Sequence, residues 1–180
     1  MARPRNTPND PERRQRILTT TMELLQETGI ASVTARSVAT RAEVPVGSVS
    51  YYFDSVKGLL LQASQQLLGR RTAQIAEWDS QDTRGDAMLE QLAELIHHQL
   101  TTGRALTVVS YELYLLGLRD PDFQQVSAHT VGALRKKLLE HYSVERASHL
   151  AATADGYQLQ ALFDQEPPSV SSILTTLKSE

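Results

Sequence analysis

The 180-residue sequence contains no cysteine, which removes disulfides, thiolate metal ligands and cysteine nucleophiles together. Aromatic residues make up only 6%, with a single tryptophan. No run of about 18 apolar residues occurs, so no membrane-spanning helix is expected. Nothing apolar follows the charged start Met1-Ala2-Arg3-Pro4-Arg5. No secretion signal is therefore expected, and the cytoplasm is the default location. P-loop, dinucleotide-glycine and nucleophile-elbow signatures are missing, and Ser110 and Ser148 have no evident base; neither an enzyme nor a cofactor is expected. The five histidines do not suggest a metal site. His97 and His98 are adjacent, hence about 100° apart on a helix. The same-face pairs Glu94/His98 and Glu145/His149 would each need two further ligands.

Charge is present but unevenly placed. Residues 1–60 carry eight Arg/Lys against six Asp/Glu, a net +2, whereas residues 61–180 carry ten against fifteen, a net −5. A mildly basic head on an acidic body permits nucleic-acid contact at one end and argues against binding over the whole surface. At 41% hydrophobic residues the chain can bury a core without staples, as one ordinary domain of about 150 residues or two small ones.

Residues 1–11, with Pro4, Pro8 and Pro11, read as a disordered arm carrying Arg3 and Arg5. From Glu12 to Thr28, Ile17, Leu18, Thr21, Met22, Leu24 and Leu25 recur at helical spacing, and Gly29 stops the helix. Thr34 is a good N-cap for a short helix over 35–42. Pro45 cannot continue that helix but can open the next, Val46 to Tyr52. In that third helix Val49 and Tyr52 can face one core, leaving Gly47, Ser48, Ser50 and Tyr51 on other faces. Asp54 or Ser55 caps a fourth helix from Val56 toward Trp78. Further helices are expected from Asp82 or Thr83 to Leu100, over 104–118, from Asp120-Pro121 to Tyr142, over 144–163, and from Ser169 to Leu177. The expected fold is all-α with about nine helices. A helix-turn-helix domain spans 12–54, and a helical bundle for ligand binding and dimerisation spans 55–180.

Two short helices joined by a three-residue turn and propped by a longer one make a helix-turn-helix candidate. A helix fits the major groove, and small or hydrogen-bonding residues on its outer face can approach base edges. Thr34, Arg36 and Lys57 are placed to meet phosphates. Arg3, Arg5, Arg13, Arg14 and Arg16 can follow the backbone or the minor groove, and each phosphate contact would add salt dependence. The stretch Thr34-Ala35-Arg36-Ser37-Val38-Ala39, Ala42-Glu43-Val44-Pro45-Val46-Gly47-Ser48-Val49-Ser50-Tyr51-Tyr52-Phe53 and on through Lys57 to Leu60 resembles the DNA-binding domain of the TetR family of bacterial regulators. The resemblance is detailed over residues 13–60 and loose beyond. It implies an all-helical homodimer on a palindromic operator, with a small-molecule pocket in the C-terminal part. Thr34, Arg36, Pro45, Gly47, Ser48, Tyr51, Tyr52 and Lys57 match that family's DNA-facing or phosphate-facing positions. Val46 and Ser50 stand where a polar and an aromatic residue are frequent, and they join the expected DNA contacts. Gly58 replaces a common acidic residue. Glu43 stands where glycine is common, which is uncomfortable if the turn needs φ > 0.

An excess of large apolar residues marks Trp78, Met88, Leu92, Ile96, Leu106, Val109, Tyr111, Tyr114, Phe123 and Tyr157 as candidate ligand-binding positions. They suit an apolar or aromatic compound, with Tyr hydroxyls, His98 and Asp155 as polar partners; plain core is the other reading of each. Leu150, Thr153, Gly156, Tyr157, Gln160 and Phe163 on one helix, with Ile173, Leu174 and Leu177 on the last, are candidates for dimerisation, and packing inside the monomer is the alternative. The functional expectation is a DNA-binding repressor released by a small ligand. Other readings are an activator of the same fold, or a helical protein-interaction module that no longer binds DNA, for which Glu43 and the modest head charge speak.

Overall fold

The computed structural model describes residues 11–77 and 86–179. Among the described residues there are nine α-helices, one 3-10 turn and no strand. The arm to residue 10, with Arg3 and Arg5, and Trp78 lie outside the described residues, as do the expected starts Asp82 and Thr83. The chain divides into two compact units, Met1–Gln66 and Leu67–Glu180.

The first unit begins with α1 (Pro11–Thr28) and a 3-10 turn (Ile30–Ser32), followed by α2 (Ala35–Arg41), α3 (Val46–Tyr52) and the start of α4 (Val56–Glu77). Gly29 ends α1 at φ 78°, where its N–H still reaches the Leu25 carbonyl at 3.1 Å; only glycine enters that region without steric cost. The core takes Ile17, Leu18, Leu25, Val38, Ala39, Val49, Phe53, Leu59 and Ala63, all almost fully buried. Leu59 and Ala63 explain why the division falls inside α4 rather than at the expected 54/55. The first two turns of that helix supply the head's core, and Arg14 on α1 donates to Gln62 on α4.

The second unit holds the rest of α4, then α5 (Asp86–Leu100), α6 (Arg104–Gly117), α7 (Pro121–Leu138), α8 (Val144–Ala161) and α9 (Val170–Lys178). Three of these starts, those of α7, α8 and α9, are capped by a side chain. Asp120 accepts from the Asp122 N–H ahead of Pro121, Ser143 accepts from the Arg146 N–H, and Ser169 accepts from the Ser172 N–H; all three satisfy donors that a helix start leaves open. Helix α7 stops at Leu138 rather than the expected Tyr142. The chain must turn before Ser143 can cap α8, and the N–H groups of Leu139 to Tyr142 close turn bonds onto Arg135, Lys137 and Leu138. One core joins Leu89, Leu92, Ile96 and Leu100 of α5 to Leu138, Ala147, Leu150 and Ala154, and to Ile173 and Leu177 of α9. Lys178 bonds Asp86 at 2.7 Å across the same helix pair. Where α6 meets α7 the backbones come very close: a Cβ on Gly117 would lie 2.5 Å from Ser127 Oγ, which itself donates to the Leu113 carbonyl at 2.9 Å.

Candidate functional site

The head is built to hold α3 rigidly and leave its outer face bare. Helix α2 starts with a reciprocal capping box: Ser37 N–H donates to Thr34 Oγ1 at 3.0 Å, and Thr34 N–H donates to Ser37 Oγ at 2.9 Å. Arg41 at its other end bonds Glu27 on α1 at 2.6 Å. The turn into α3 is a regular Schellman closure, with Glu43 N–H on the Thr40 carbonyl at 3.3 Å and Val44 N–H on the Ala39 carbonyl at 3.0 Å. Glu43, the first of these two donors, has φ 54° and is the only described non-glycine residue with positive φ. The departure noticed in the sequence therefore leaves the turn intact; glutamate occupies a left-handed position that favours glycine.

Val49 is 1% exposed and pins α3. Around the rest of the element, Pro45, Val46, Gly47, Ser50 and Tyr51 are exposed and Ser48 is half-buried. Tyr51, 72% exposed, stacks edge-on against half-buried Tyr52 at 4.9 Å. Thr34, Arg36 and Lys57 are exposed and Arg13 is half-buried. The Arg14 guanidinium sits 5.0 Å above the ring of buried Phe53, a cation–π contact that ties α1 to the end of α3.

The second unit encloses a small cavity of about 20 Å³ lined by residues of α4 to α8, room for about one water. Of the positions expected from sequence, Leu92, Ile96 and Tyr114 line it. Tyr111 stands next to it, donating to the Asp155 main-chain carbonyl at 3.0 Å and packing edge-on to Tyr114 at 5.6 Å. Met88, Val109 and Phe123 are buried and Leu106 is half-buried, but they form core, not cavity wall. Tyr157 turns instead to Ser172, 3.3 Å away, and His98 is exposed. The apolar count alone could not separate wall from filling.

What the sequence reading missed is a buried polar nest. Arg71 of α4, 4% exposed, donates from Nη2 to Gln158 Oε1 at 2.9 Å and from Nη1 to Thr107 Oγ1 at 3.3 Å. Gln158 in turn donates to Gln99 Oε1, and the Thr107 hydroxyl donates to the Gln99 carbonyl at 2.7 Å. Arg71, Gln99, Asp155 and Gln158 all line the cavity. A signal existed: Leu67, Leu68, Arg71 and Ile75 share one face of α4, and Leu92, Ile96 and Gln99 share one of α5, so a polar residue stands at a core register position in each. Burial raises the pKa of Asp155 against the opposing pull of Arg71. It also pushes the hydroxyls of Tyr111 and Tyr114 well up, so both tyrosines remain neutral donors.

The dimerisation candidates divide. Leu150, Ile173 and Leu177 are 0–1% exposed and Leu174 packs on the same core; α9 uses its apolar face against α5, so these positions are filled from within the chain. Thr153, Gly156 and Tyr157 are half-buried, and Gln160 and Phe163 are exposed. The outer face of α8 carries His149, Ala152, Gly156 and Leu159 at spacings of three and four, and Phe163 follows just past its end; Leu159 is 45% and Phe163 85% exposed. A Cβ on Gly156 would meet nothing within 4 Å.

A trihelical reading head followed by a separate helical unit is the build of a one-component DNA-binding regulator. Residues 17–63 match the family model for bacterial regulatory proteins of the tetR family, and residues 83–179 match the tetracycline-repressor-like C-terminal domain. The chain belongs to the TetR family and is a DNA-binding transcriptional regulator rather than an enzyme. It is similar to the transcriptional regulator BetI 1 of Chromohalobacter salexigens, at 25% identity over 83% of this chain and 79% of that one. It is also similar to the solved structure of the regulator SCO7518 of Streptomyces coelicolor A3(2), with 30% identity, TM-score 0.80, and 93% and 96% of the two chains covered. The multidrug-binding protein EbrR in complex with malachite green is a further neighbour, with 30% identity, TM-score 0.77, and coverage of 93% and 96%. Among the described residues no helix is long and apolar enough to cross a membrane.

Proposed function

We propose that the protein is a cytoplasmic, homodimeric repressor that holds a palindromic operator and releases it when a small molecule enters the cavity of the second unit. The observation that carries the DNA-reading part is α3: one buried anchor, Val49, and an outer face of Gly47, Ser48, Ser50 and Tyr51 small or polar enough to approach base edges. Val46, 49% exposed, offers a methyl contact to thymine. Thr34, Arg36, Tyr52 and Lys57, with Arg13 and the arm's Arg3 and Arg5, take the phosphates.

Two copies would pair through the outer face of α8, where Ala152 and Gly156 allow close approach and Leu159 and Phe163 lose their exposure. Gln160 borders this stripe. Paired heads must present their third helices about 34–36 Å apart to reach successive major grooves. The ligand's body is apolar or aromatic, in keeping with the Leu92, Ile96, Leu134 and Tyr114 walls and with the dye bound by EbrR. Ligand and operator weaken one another by the same factor.

Selection from random duplexes tests the reading. A palindromic sequence should emerge, and a binding ligand should release it while size-exclusion chromatography still finds a dimer. If no sequence is selected, the head is an interaction module; if release coincides with dissociation into monomers, the switch is wrong. Gly156→Leu, which the isolated chain has room for, should yield monomers.

A further inference from the structure

Two opposite charges face one cavity without meeting. Arg71 is almost fully buried on α4 and spends two of its N–H groups on the neutral oxygens of Gln158 and Thr107. Asp155 is half-buried on α8, and among the described residues no donor or cation bonds its carboxylate; the hydroxyl of Tyr111 reaches its main-chain carbonyl instead. Both side chains line the same wall as Gln158. Burying a guanidinium and a carboxylate is costly unless each has a charged partner in contact; Arg71 acts on Asp155 through space, but among the described residues no bond joins them. The rest of the lining is aliphatic or phenolic, apart from the uncharged polar side chains of Gln99 and Thr130.

We infer that the second unit's cavity is a receptor for a small zwitterion with an apolar tail, its anionic group seated on Arg71 and its cationic group at Asp155. This rests on the ligand-cavity reading above and names the class of ligand. A zwitterion gives each charge an opposite charge in direct contact and leaves the net charge of the cavity unchanged. A simple cation would satisfy Asp155 but stand beside an uncompensated guanidinium. A simple anion would satisfy Arg71 but face the carboxylate. At about 20 Å³ the cavity has room for about one water, so the guest must open it. Opening it exchanges the neutral amide bond between Gln158 and Gln99, and the Arg71–Gln158 bond, for the stronger bonds of ionised groups. Burial keeps the hydroxyls of Tyr111 and Tyr114 neutral, with Tyr111 holding the Asp155 main-chain carbonyl.

The test uses one carbon skeleton with different heads: L-leucine, its decarboxylated analogue 3-methylbutylamine, and its deaminated analogue 4-methylpentanoate, with L-phenylalanine as a second zwitterion. Thermal shift and release of labelled operator are read on the full-length protein. At least one amino acid should act at concentrations tenfold or more below either single-charge analogue. Arg71→Met should remove the advantage over the amine, and Asp155→Asn the advantage over the carboxylate. The analogue series on the unaltered protein stands even if Arg71→Met fails to fold. A single-charge analogue equal to its parent amino acid overturns the proposal, as does silence of both amino acids. If ethidium shifts and releases the protein while all four probes fail, the ligand-responsive reading survives and only the zwitterion is lost; if no operator is selected in the first place, the regulatory reading itself has failed.

Discussion

Replacing Glu43 by glycine tests the strain at the turn between α2 and α3. A left-handed conformation costs a residue with a Cβ about 1–2 kcal/mol, and Glu43 holds φ 54° because the two turn bonds on either side of it are closed. Glycine removes that cost but adds roughly 0.5–1 kcal/mol of backbone entropy to the unfolded chain. The net expectation is a gain of about 0.5–1 kcal/mol, or about 1–4 °C in Tm for a protein of this size. Glu43→Gln keeps the strain and removes the charge, so its stability should stay within about 0.5 kcal/mol of the parent. Glu43→Val, with a branched Cβ in the left-handed region, should be the least stable of the three. Urea unfolding followed by circular dichroism separates them. Operator affinity supplies the second axis: both Gln and Gly remove a negative charge from an exposed position and should tighten binding, with a gain that shrinks as salt rises. If the glycine variant is less stable than the parent while valine is tolerated, the strain argument is wrong, and the turn must owe its shape to something other than backbone preference.

Thr34→Ala breaks the capping box and should cost about 1 kcal/mol in urea titrations, with weaker operator binding. Gly117→Ala forces a Cβ to within 2.5 Å of Ser127 Oγ and should cost roughly 1–3 kcal/mol, an overpacking penalty; the double variant with Ser127→Ala should recover part of it. Asp155 has its folded pKa raised by burial. Its contribution to stability is therefore fully present below the unfolded carboxylate value and is lost as pH rises through the folded one. Asp155→Asn should accordingly be more stable than the parent at neutral pH, with the gap closing as the solution is acidified; a gap that widens on acidification refutes the sign.

Local chemistry made the head legible. Gly29, Thr34 and Pro45 are stop, cap and start signals that act within a few residues, and α3 falls over Val46–Tyr52 as read. The sequence raised a left-handed turn at Glu43 only as a condition; the backbone decides it, with φ 54°. The second unit was less transparent, for two reasons. Apolar periodicity marks a buried face without saying what covers it, so Leu150, Ile173 and Leu177 looked equally suited to a partner and to one another. Only the long-range pairing of α9 with α5 decides. The same periodicity passes over polar residues, and the cavity's character lies in Arg71, Gln99 and Gln158, which interrupt apolar faces at positions where a leucine would have fitted the pattern.

The seat of α9 also bears on how the protein is made. Ile173 and Leu177 plug the core that α5 and α8 leave open, so the second unit cannot be completed until the ribosome has passed residue 178, whereas the first unit needs nothing beyond residue 66. At about 5–20 residues per second, roughly 110 further residues take about 6–20 s. Once α5 is complete at Leu100, its stripe waits about 78 residues, roughly 4–16 s at that rate, for its α9 cover, the window in which the nascent chain would most gain from a chaperone.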